Sequence, residues 1–217
     1  NDLDPHLISV YEALKNRPAE FIKQCREIKA AQAGEPLASA KPGGKPLYNA
    51  RLKAEFDRFA AGNDVDPALR YLFVHRTVWA GRVNYDIASR MYFSNPAGWN
   101  VVFTDQIIRA AASLRDVKVT CGSYLELLSA EGDDVLVYLD PPYFVNTELA
   151  NNSRLYKYNF EKKDHEELCD AVKQCKHKIV LSYDKHPYIR KLYKSDQFNL
   201  GTGVGGKYSH GVKWTYC

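Results

Sequence analysis

The stretch DVLVYLDPPYF, residues Asp134–Phe144, begins as an apolar strand and ends in an acid, two prolines and two aromatic rings. Proline has no backbone N–H for a sheet ladder, and the residue before a proline is driven out of helical backbone space. Asp140 is therefore expected at the carboxyl end of a strand, on a stiff support. Because ligands of open α/β sheets bind at that end of the strands, the stretch predicts a carboxylate held beside the ring of Tyr143.

Asp140 and Pro141 together offer hydrogen-bond acceptors and no donor, since carboxylate and carbonyl oxygens accept and the proline nitrogen carries no hydrogen. Such a cluster suits an NH2 group, which offers two donors. Tyr143 adds a flat face on which a nucleobase can stack. Two acceptors that hydrogen bond to an exocyclic amine make its nitrogen more nucleophilic. The nitrogen can then take a methyl group from an aligned donor by in-line displacement of the donor's leaving group. A base in a duplex must first flip out of the stack.

Composition limits the class of protein. The 217 residues are 45% hydrophobic, which is enough for one large domain or for a domain with an insert. A formal net charge of +4 permits nucleic-acid binding without requiring it. No apolar run has the length of a membrane span, and no signal peptide is visible. Five cysteines without a matching Cys/His pair predict reduced thiols, no zinc site and an intracellular protein.

Two kinds of pattern divide the chain. Up to about residue 114, apolar residues recur at helical spacing around a Pro- and Gly-rich loop at residues 33–47. From about residue 115, strand-like runs alternate with helix-like runs, which predicts a mainly parallel α/β sheet. The first predicted strand of that part is VKVTCG, residues 117–122, and the later ones are DVLVYL, KIVLSYD and QFNLGTG.

Two Asp-Pro pairs carry the signature of a helix start, because aspartate caps a helix and proline fits its first position. They are Asp4-Pro5 and Asp66-Pro67. The helix after Asp66 is predicted to run to about Gly81.

DPPY after an apolar strand resembles the amino-methyltransferases that use S-adenosylmethionine (SAM), and its aspartate form favours adenine N6. NDLDPHLISVY at the start, LFVHRTVWAGRV and CGSY (Cys121–Tyr124) extend the resemblance, as do YKYNFEKKDHEEL and KIVLSYD after DPPY. Their order along the chain is that of the family. Over essentially its whole length the sequence resembles the Dam-like, D12-class N6-adenine-specific DNA methyltransferases.

The resemblance implies an α/β fold. It would have a Rossmann-like SAM-dependent methyltransferase sheet, incomplete in this chain, and a mainly helical inserted DNA-recognition domain. Residues 1–14 and 115–217 would form the partial catalytic core, and residues 15–114 the target-recognition insert. The family's glycine-rich SAM loop would precede Asn1. We therefore expect an internal fragment that, without this loop, binds SAM poorly or is inactive.

The resemblance also implies roles for the residues of DPPY. Asp140 and the Pro141 carbonyl would hold the adenine N6 amine, Pro142 would fix the geometry, and Tyr143 would stack on the flipped base. No metal would be required, because the sulfonium of SAM already activates the methyl group.

The residues that would line the SAM site are Asp2, on the ribose hydroxyls, and Ser123, Tyr124 and Asp140. Each of the first three has a structural alternative. For Asp2 the alternative is a helix cap near Asp4, and for Ser123 and Tyr124 it is a helix cap and a core ring.

A DNA surface is expected from Arg76, Arg82 and Arg90, set among aromatic residues, with solvated side chains as the alternative. Phosphate contacts of this kind weaken as salt rises. His75 and Ala80 stand where the family usually has asparagine.

Three aromatic residues in the segment that follows DPPY would either form walls of the base pocket or pack the linker. They are Tyr156, Tyr158 and Phe160. His165 is expected at a helix start.

The expected partner is double-stranded DNA with a flipped adenine, and the resemblance admits a restriction endonuclease as a second partner. A cytoplasmic, bacterial or phage-encoded protein is expected, in restriction-modification, housekeeping or phage biology. Three alternatives stay open: a cytosine N4 methyltransferase, an RNA adenine methyltransferase, and a non-catalytic DNA-binding remnant.

Overall fold

The computed structural model divides the chain into two compact units, Asn1–Gly122 and Ser123–Cys217. The residues that the structure describes are 1–30, 37–38, 48–62, 65–78, 105–144, 158–184, 186–194, 199–201 and 211–215.

The described part of the first unit is mainly helical, as predicted for this half of the chain. Its elements are α1 (Pro5–Asn16), α2 (Pro18–Ala30), β1 (Leu37–Ala38), β2 (Tyr48–Asn49), α3 (Ala50–Ala61), α4 (Pro67–Thr77) and α5 (Asp105–Ser113). The two short strands pair antiparallel. Helix α1 packs against α4. The first unit therefore contains residues 1–14, which the family resemblance places in the catalytic core. The functional assignment of residues 1–14, 15–114 and 115–217 stays a prediction.

Both predicted helix starts are confirmed. The Asp4 carboxylate accepts a hydrogen bond from the backbone N–H of His6 at 2.9 Å and begins α1. The Asp66 carboxylate accepts from the N–H groups of Ala68 and Leu69 at 2.9 and 3.0 Å and begins α4. A proline follows each aspartate at the first helical position, where its missing N–H is not needed.

Helix α4 ends at Thr77, and the prediction that it continues to about Gly81 is wrong. Val78 is already extended, with φ −78° and ψ 158°. The Thr77 hydroxyl donates to the Phe73 carbonyl at 2.7 Å, inside the last turn. Such back-bonding and two successive β-branched residues both weaken a helix, and helical spacing alone does not reveal them.

The core of the first unit is centred on aromatic rings. Phe21, Phe59 and Phe73 are fully buried, and the rings of Phe59 and Phe73 stack at 4.7 Å between centroids. Cys25 lies in the same core. Burial, aided by the charge of Asp66, raises the pKa of its thiol to about 12, so this cysteine stays protonated.

An arginine from α4 closes the carboxyl end of α3. The Arg70 guanidinium donates to the Phe59 carbonyl at 2.8 Å and to the Ala60 carbonyl at 3.0 Å, both at the end of the helix. The Phe59 carbonyl also accepts from the Gly62 N–H at 3.1 Å. Gly62 follows in the left-handed region, with φ +76°. A Cβ on Gly62 would stand 2.5 Å from Cζ of Arg70, so glycine is required both by the backbone and by the guanidinium.

The described part of the second unit combines helices with a four-stranded sheet. Its elements are α6 (Tyr124–Leu128), β3 (Leu136–Leu139), α7 (Lys162–Gln174), β4 (Lys178–Asp184), α8 (Pro187–Leu192), β5 (Asn199–Gly201) and β6 (Gly211–Thr215). The strand order is β3-β4-β6-β5. Strands β3 and β4 are parallel, and β6 is antiparallel to both β4 and β5.

The prediction of a mainly parallel sheet is correct for the direction of most described strands, but it is wrong for how neighbouring strands pair. Strands β3, β4 and β5 run one way, but β6 lies between β4 and β5 and runs the other way, so only the β3–β4 pairing is parallel among the described strands. A strand-like pattern gives the residues of a strand but not its neighbours.

The predicted strand at residues 117–122 is wrong. Pairing in this segment is limited to one parallel bridge between Asp2 and Cys121 within the part of the chain that is described. There the Asp2 N–H donates to the Thr120 carbonyl at 3.3 Å, and the Gly122 N–H donates to the Asp2 carbonyl at 3.1 Å. A strand needs a partner along its length, and one bridge does not supply it.

The core of the second unit lies where α7 packs on one face of the sheet. Leu168, Cys169 and Val172 of the helix are buried together with Ile179 and Leu181 of β4.

His165, near the start of α7, belongs to the same core and is fully buried. Its Nδ1 lies 2.8 Å from the Tyr183 hydroxyl, and its Nε2 has no hydrogen-bond partner among the described residues. Burial lowers the pKa of His165 to about 4 against a weaker opposing effect of Asp164, because an imidazolium would need a second acceptor at Nε2.

Two further findings bear on the class of protein. Across the described ranges, no helix is both long and apolar enough to cross a membrane. Cys25, Cys121, Cys169 and Cys175 carry free thiols.

Replacing Gly62 by alanine is expected to lower the free energy of unfolding by about 1 to 3 kcal/mol, because alanine is strained at this φ and its Cβ meets Arg70. Urea denaturation of Gly62→Ala, Arg70→Ala and the double variant measures both effects. In the Arg70→Ala background the loss should shrink without vanishing, since the backbone strain remains. A fully additive double variant would show that the guanidinium does not contribute.

Acid is expected to destabilise the protein through His165. The unfolded histidine takes up a proton as the pH falls below about 6.5, whereas the folded one stays neutral until about pH 4. The free energy of unfolding should therefore decrease across this window as pH falls, and should decrease less in His165→Gln, which cannot take up the proton. Urea titrations at several pH values test this, and equal slopes for the two proteins would contradict it.

Candidate functional site

Asp140 follows directly on β3, at the carboxyl end of the strand, as the sequence predicts. In the parallel register Leu139 faces Leu181, so the next residues, Asp140 and Ser182, stand beside each other. The Ser182 hydroxyl donates to Oδ1 of Asp140 at 3.0 Å. The Asp140 side chain is exposed, and its second oxygen, Oδ2, can accept further hydrogen bonds.

One face of β3 is open on the side that carries Asp140. Side chains alternate along a strand, so Asp140 shares its face with Tyr138 and Leu136, while Val137 and Leu139 pack into the core on the other side. Leu136 and Tyr138 are each 64% exposed. The carboxylate therefore borders an accessible apolar surface.

The two prolines carry the chain away from the sheet in extended form. Pro141 and Pro142 are half-buried and belong to no regular element. The carbonyl of Pro141 accepts no hydrogen bond from any residue within the described ranges. Among the described residues, the Pro141 carbonyl is therefore an acceptor without a donor, and it lies next to a carboxylate of which only Oδ1 accepts a hydrogen bond.

The two aromatic residues after the prolines differ in exposure. The ring of Phe144 packs against His186 and Tyr188, each at 4.6 Å between centroids, and against His165 at 5.3 Å. Tyr143 is 47% exposed. Phe144 therefore anchors the segment in the core, and Tyr143 keeps an accessible ring next to the prolines.

Ser123 and Tyr124 have the structural roles that the sequence left open as alternatives. The Ser123 hydroxyl oxygen accepts from the Leu125 N–H at 3.2 Å and begins α6. The Tyr124 ring is 6.1 Å from that of Phe160, and burial, followed by the charges of Glu167 and Asp164, raises its pKa to about 12. Their role in binding a cofactor stays a prediction.

Asp2 lies in the first unit, next to Cys121 in the parallel bridge. Its Oδ1 accepts from the Asp4 N–H at 2.8 Å, so Asp2 supports the turn before α1 while Asp4 itself caps the helix. Oδ2 of Asp2 accepts no hydrogen bond from residues in the described segments.

Of the arginines predicted to contact DNA, Arg76 lies half-buried in the last turn of α4, and Arg82 and Arg90 lie outside the described residues. His75 stacks on Tyr71 at 5.6 Å between ring centroids. Its pKa is lowered by burial and then by the charge of Arg76.

The three aromatic residues predicted to form the base pocket or pack the linker differ in where they lie. Phe160 packs in the core, edge-on to His165 at 5.2 Å. Tyr158 is exposed, and Tyr156 lies outside the described residues.

Ser182 and Phe144 are two residues of this region for which the sequence predicted no role. Ser182 could have been found, because parallel strands end at the same edge of a sheet and KIVLSYD places a hydroxyl near the end of the strand after DVLVYL. The anchoring of Phe144 has no comparable signal, since its ring partners come from α7 and from residues 186–188.

Comparison with known proteins relates the chain to one family. The sequence pattern of the family described as D12 class N6 adenine-specific DNA methyltransferase matches residues 1–203. The match therefore covers the whole first unit, residues 123–203 of the second unit, and every candidate site residue.

Individual relatives are distant but cover most of the chain. A protein named DNA adenine methylase from Vibrio cholerae serotype O1 is 24% identical over 206 residues, which are 92% of this chain and 69% of that protein. The DNA N-6-adenine-methyltransferase of Escherichia phage P1 is 23% identical over 205 residues, 92% of this chain and 26% of that protein. The Type II methyltransferase M.MjaIII of Methanocaldococcus jannaschii is 24% identical over 212 residues, 92% of this chain and 69% of that protein.

Because the family pattern matches nearly the whole length of the chain, the chain belongs to the D12 class N6 adenine-specific DNA methyltransferases.

Proposed function

We propose that this chain transfers a methyl group from SAM to the N6 amine of an adenine flipped out of double-stranded DNA. The observation that carries the proposal is a pair of neighbouring acceptors at the end of β3, Oδ2 of Asp140 and the Pro141 carbonyl. Neither accepts a hydrogen bond from a described residue, while Oδ1 of Asp140 accepts from Ser182. Membership of the D12 class selects adenine N6 as the amine.

The proposed work of Asp140 and Pro141 is to hold an amine and raise its reactivity. An adenine amine has two N–H donors and a lone pair delocalised into the ring, which makes it a poor nucleophile. When a carboxylate oxygen and a carbonyl each accept one hydrogen, the nitrogen lone pair turns away from the ring system and toward the methyl group. Pro142 limits the freedom of the backbone that carries both acceptors.

The proposed role of Tyr143 is to stack on the flipped base. Its ring is accessible, while its neighbour Phe144 is held among three other rings. A fixed ring face recovers part of the free energy lost when the base leaves the duplex stack.

SAM supplies a methyl group bound to a positively charged sulfur, which makes the methyl carbon electrophilic. The residues present fit such a group in their chemistry. Oδ2 of Asp2, which accepts no hydrogen bond from the described residues, is suited to ribose hydroxyls. The Ser123 hydroxyl, whose oxygen caps α6, retains a hydrogen to donate. The proposal assigns these two residues, with Tyr124 and Asp140, to the cofactor.

The finer assignments of fold and partner belong to the same proposal. We assign residues 1–14 and 115–217 to a partial catalytic core with a Rossmann-like methyltransferase sheet and residues 15–114 to target recognition, with Arg76, Arg82 and Arg90 on the DNA phosphates. Such contacts would make DNA affinity fall steeply as salt rises. A cytoplasmic setting and a companion restriction endonuclease fit an enzyme of this class.

Asp140→Ala is expected to lower N6-methyladenine formation by about 100-fold or more, because it removes one of the two acceptors from the amine. DNA affinity should change little, since the phosphate contacts remain. Nucleoside mass spectrometry on DNA incubated with SAM and the protein expressed from its complete gene measures the product. A gel-shift titration measures the binding.

Asp133→Ala, an exposed aspartate in the turn before β3, is the matched control and should keep full activity. Equal losses of methylation and DNA binding in Asp140→Ala would contradict the proposed role. N4-methylcytosine as the product would retain the mechanism and overturn the base assignment.

Tyr143→Ala is expected to lower kcat/KM by roughly 10- to 100-fold, since stacking on a base contributes about 1 to 3 kcal/mol. Tyr143→Phe retains the ring and should keep most of the activity. Fluorescence of 2-aminopurine at the target position reports base flipping in each variant, with Tyr11→Ala as an exposed-tyrosine control. Equal effects of Tyr143→Ala and Tyr143→Phe would assign the role to the hydroxyl instead.

A further inference from the structure

The Ser182 hydroxyl is a part of the site that the proposed transfer does not yet use. It lies 3.0 Å from Oδ1 of Asp140, on the open face of the sheet. Within the part of the chain that the structure describes, no other side chain hydrogen bonds to this carboxylate, and no Lys or Arg forms an ion pair with it.

The direction of this hydrogen bond is fixed by chemistry. An ionised carboxylate only accepts, so the serine must donate its single hydrogen. That hydrogen occupies Oδ1 and leaves Oδ2 for another donor. A lysine or arginine at this position would offer several donors and would compete for both oxygens.

The donor is held more firmly than a loop residue would be. Ser182 lies within β4, between the buried side chains of Leu181 and Tyr183. The carboxylate of Asp140 is exposed and could otherwise turn about a soft terminal torsion. A donor on a packed strand therefore sets the orientation of an acceptor that follows the neighbouring strand.

We propose that Ser182 is a positioning residue for the methyl transfer. Its hydrogen bond to Oδ1 holds the Asp140 carboxylate in the orientation in which Oδ2 accepts one N–H of the base amine. This role rests on the proposed function, because it acts through Asp140 and has no consequence for transfer without it.

The test compares Ser182→Ala, Ser182→Thr and the control Ser129→Ala with the unaltered protein, each expressed from its complete gene. Threonine keeps the hydroxyl and suits a strand. Ser129 is an exposed serine whose hydroxyl donates to the Leu125 carbonyl at 2.9 Å, and the proposed transfer gives it no role. The readouts are single-turnover methylation, DNA affinity, SAM affinity by calorimetry, and thermal unfolding.

Ser182→Ala is expected to lower the single-turnover rate about tenfold, with both affinities within about twofold and the melting temperature unchanged. Ser182→Thr should recover most of the rate, and Ser129→Ala should retain all of it. A full rate in Ser182→Ala would overturn the positioning role, as would a loss that Thr does not rescue or that follows the melting temperature. Absence of methylation by the unaltered protein would instead overturn the proposed function, and the positioning role with it.

Discussion

The parallel pairing of β3 with β4 is the constraint on which the second unit depends. It sets the register in which Leu139 faces Leu181, and through that register it brings Asp140 beside Ser182. A shift of one residue would turn the whole apolar set of β3 to the other face and would carry the carboxylate into the core. Burial of Val137, Leu139, Ile179 and Leu181 therefore specifies the geometry of the site.

The same core keeps its polar groups few and neutral. His165 is surrounded by Phe144, Phe160 and Tyr183, and its low pKa reflects how poorly this environment would solvate a cation. One of these rings, Phe144, directly follows the exposed Tyr143. A ring packed in the core and a ring accessible to a ligand are thus adjacent in the chain, so the contacts of Phe144 limit where the ring of Tyr143 can lie.

Local chemistry in the sequence predicted much of this arrangement. Asp4-Pro5 and Asp66-Pro67 predicted helix starts, because capping acts over two or three residues. DPPY predicted the end of a strand for a similarly local reason, since proline cannot donate to a sheet. The position of β6 between β4 and β5 and the ring partners of Phe144 depend on residues distant in sequence, so local patterns did not predict them. The failed strand at residues 117–122 shows the converse, since a strand-like pattern has no effect without a neighbour along its length.

The reversed strand β6 also has a consequence for the order in which the sheet assembles. Among the described strands, β5 reaches the sheet only through β6, yet β5 comes earlier in the chain. The chain order therefore means that β5 cannot take its described place in the sheet before β6 has been synthesised and has paired with β4. Until β6 pairs with β4, the edge of β4 that β6 covers stays available to other strands, and open strand edges are where mispairing begins.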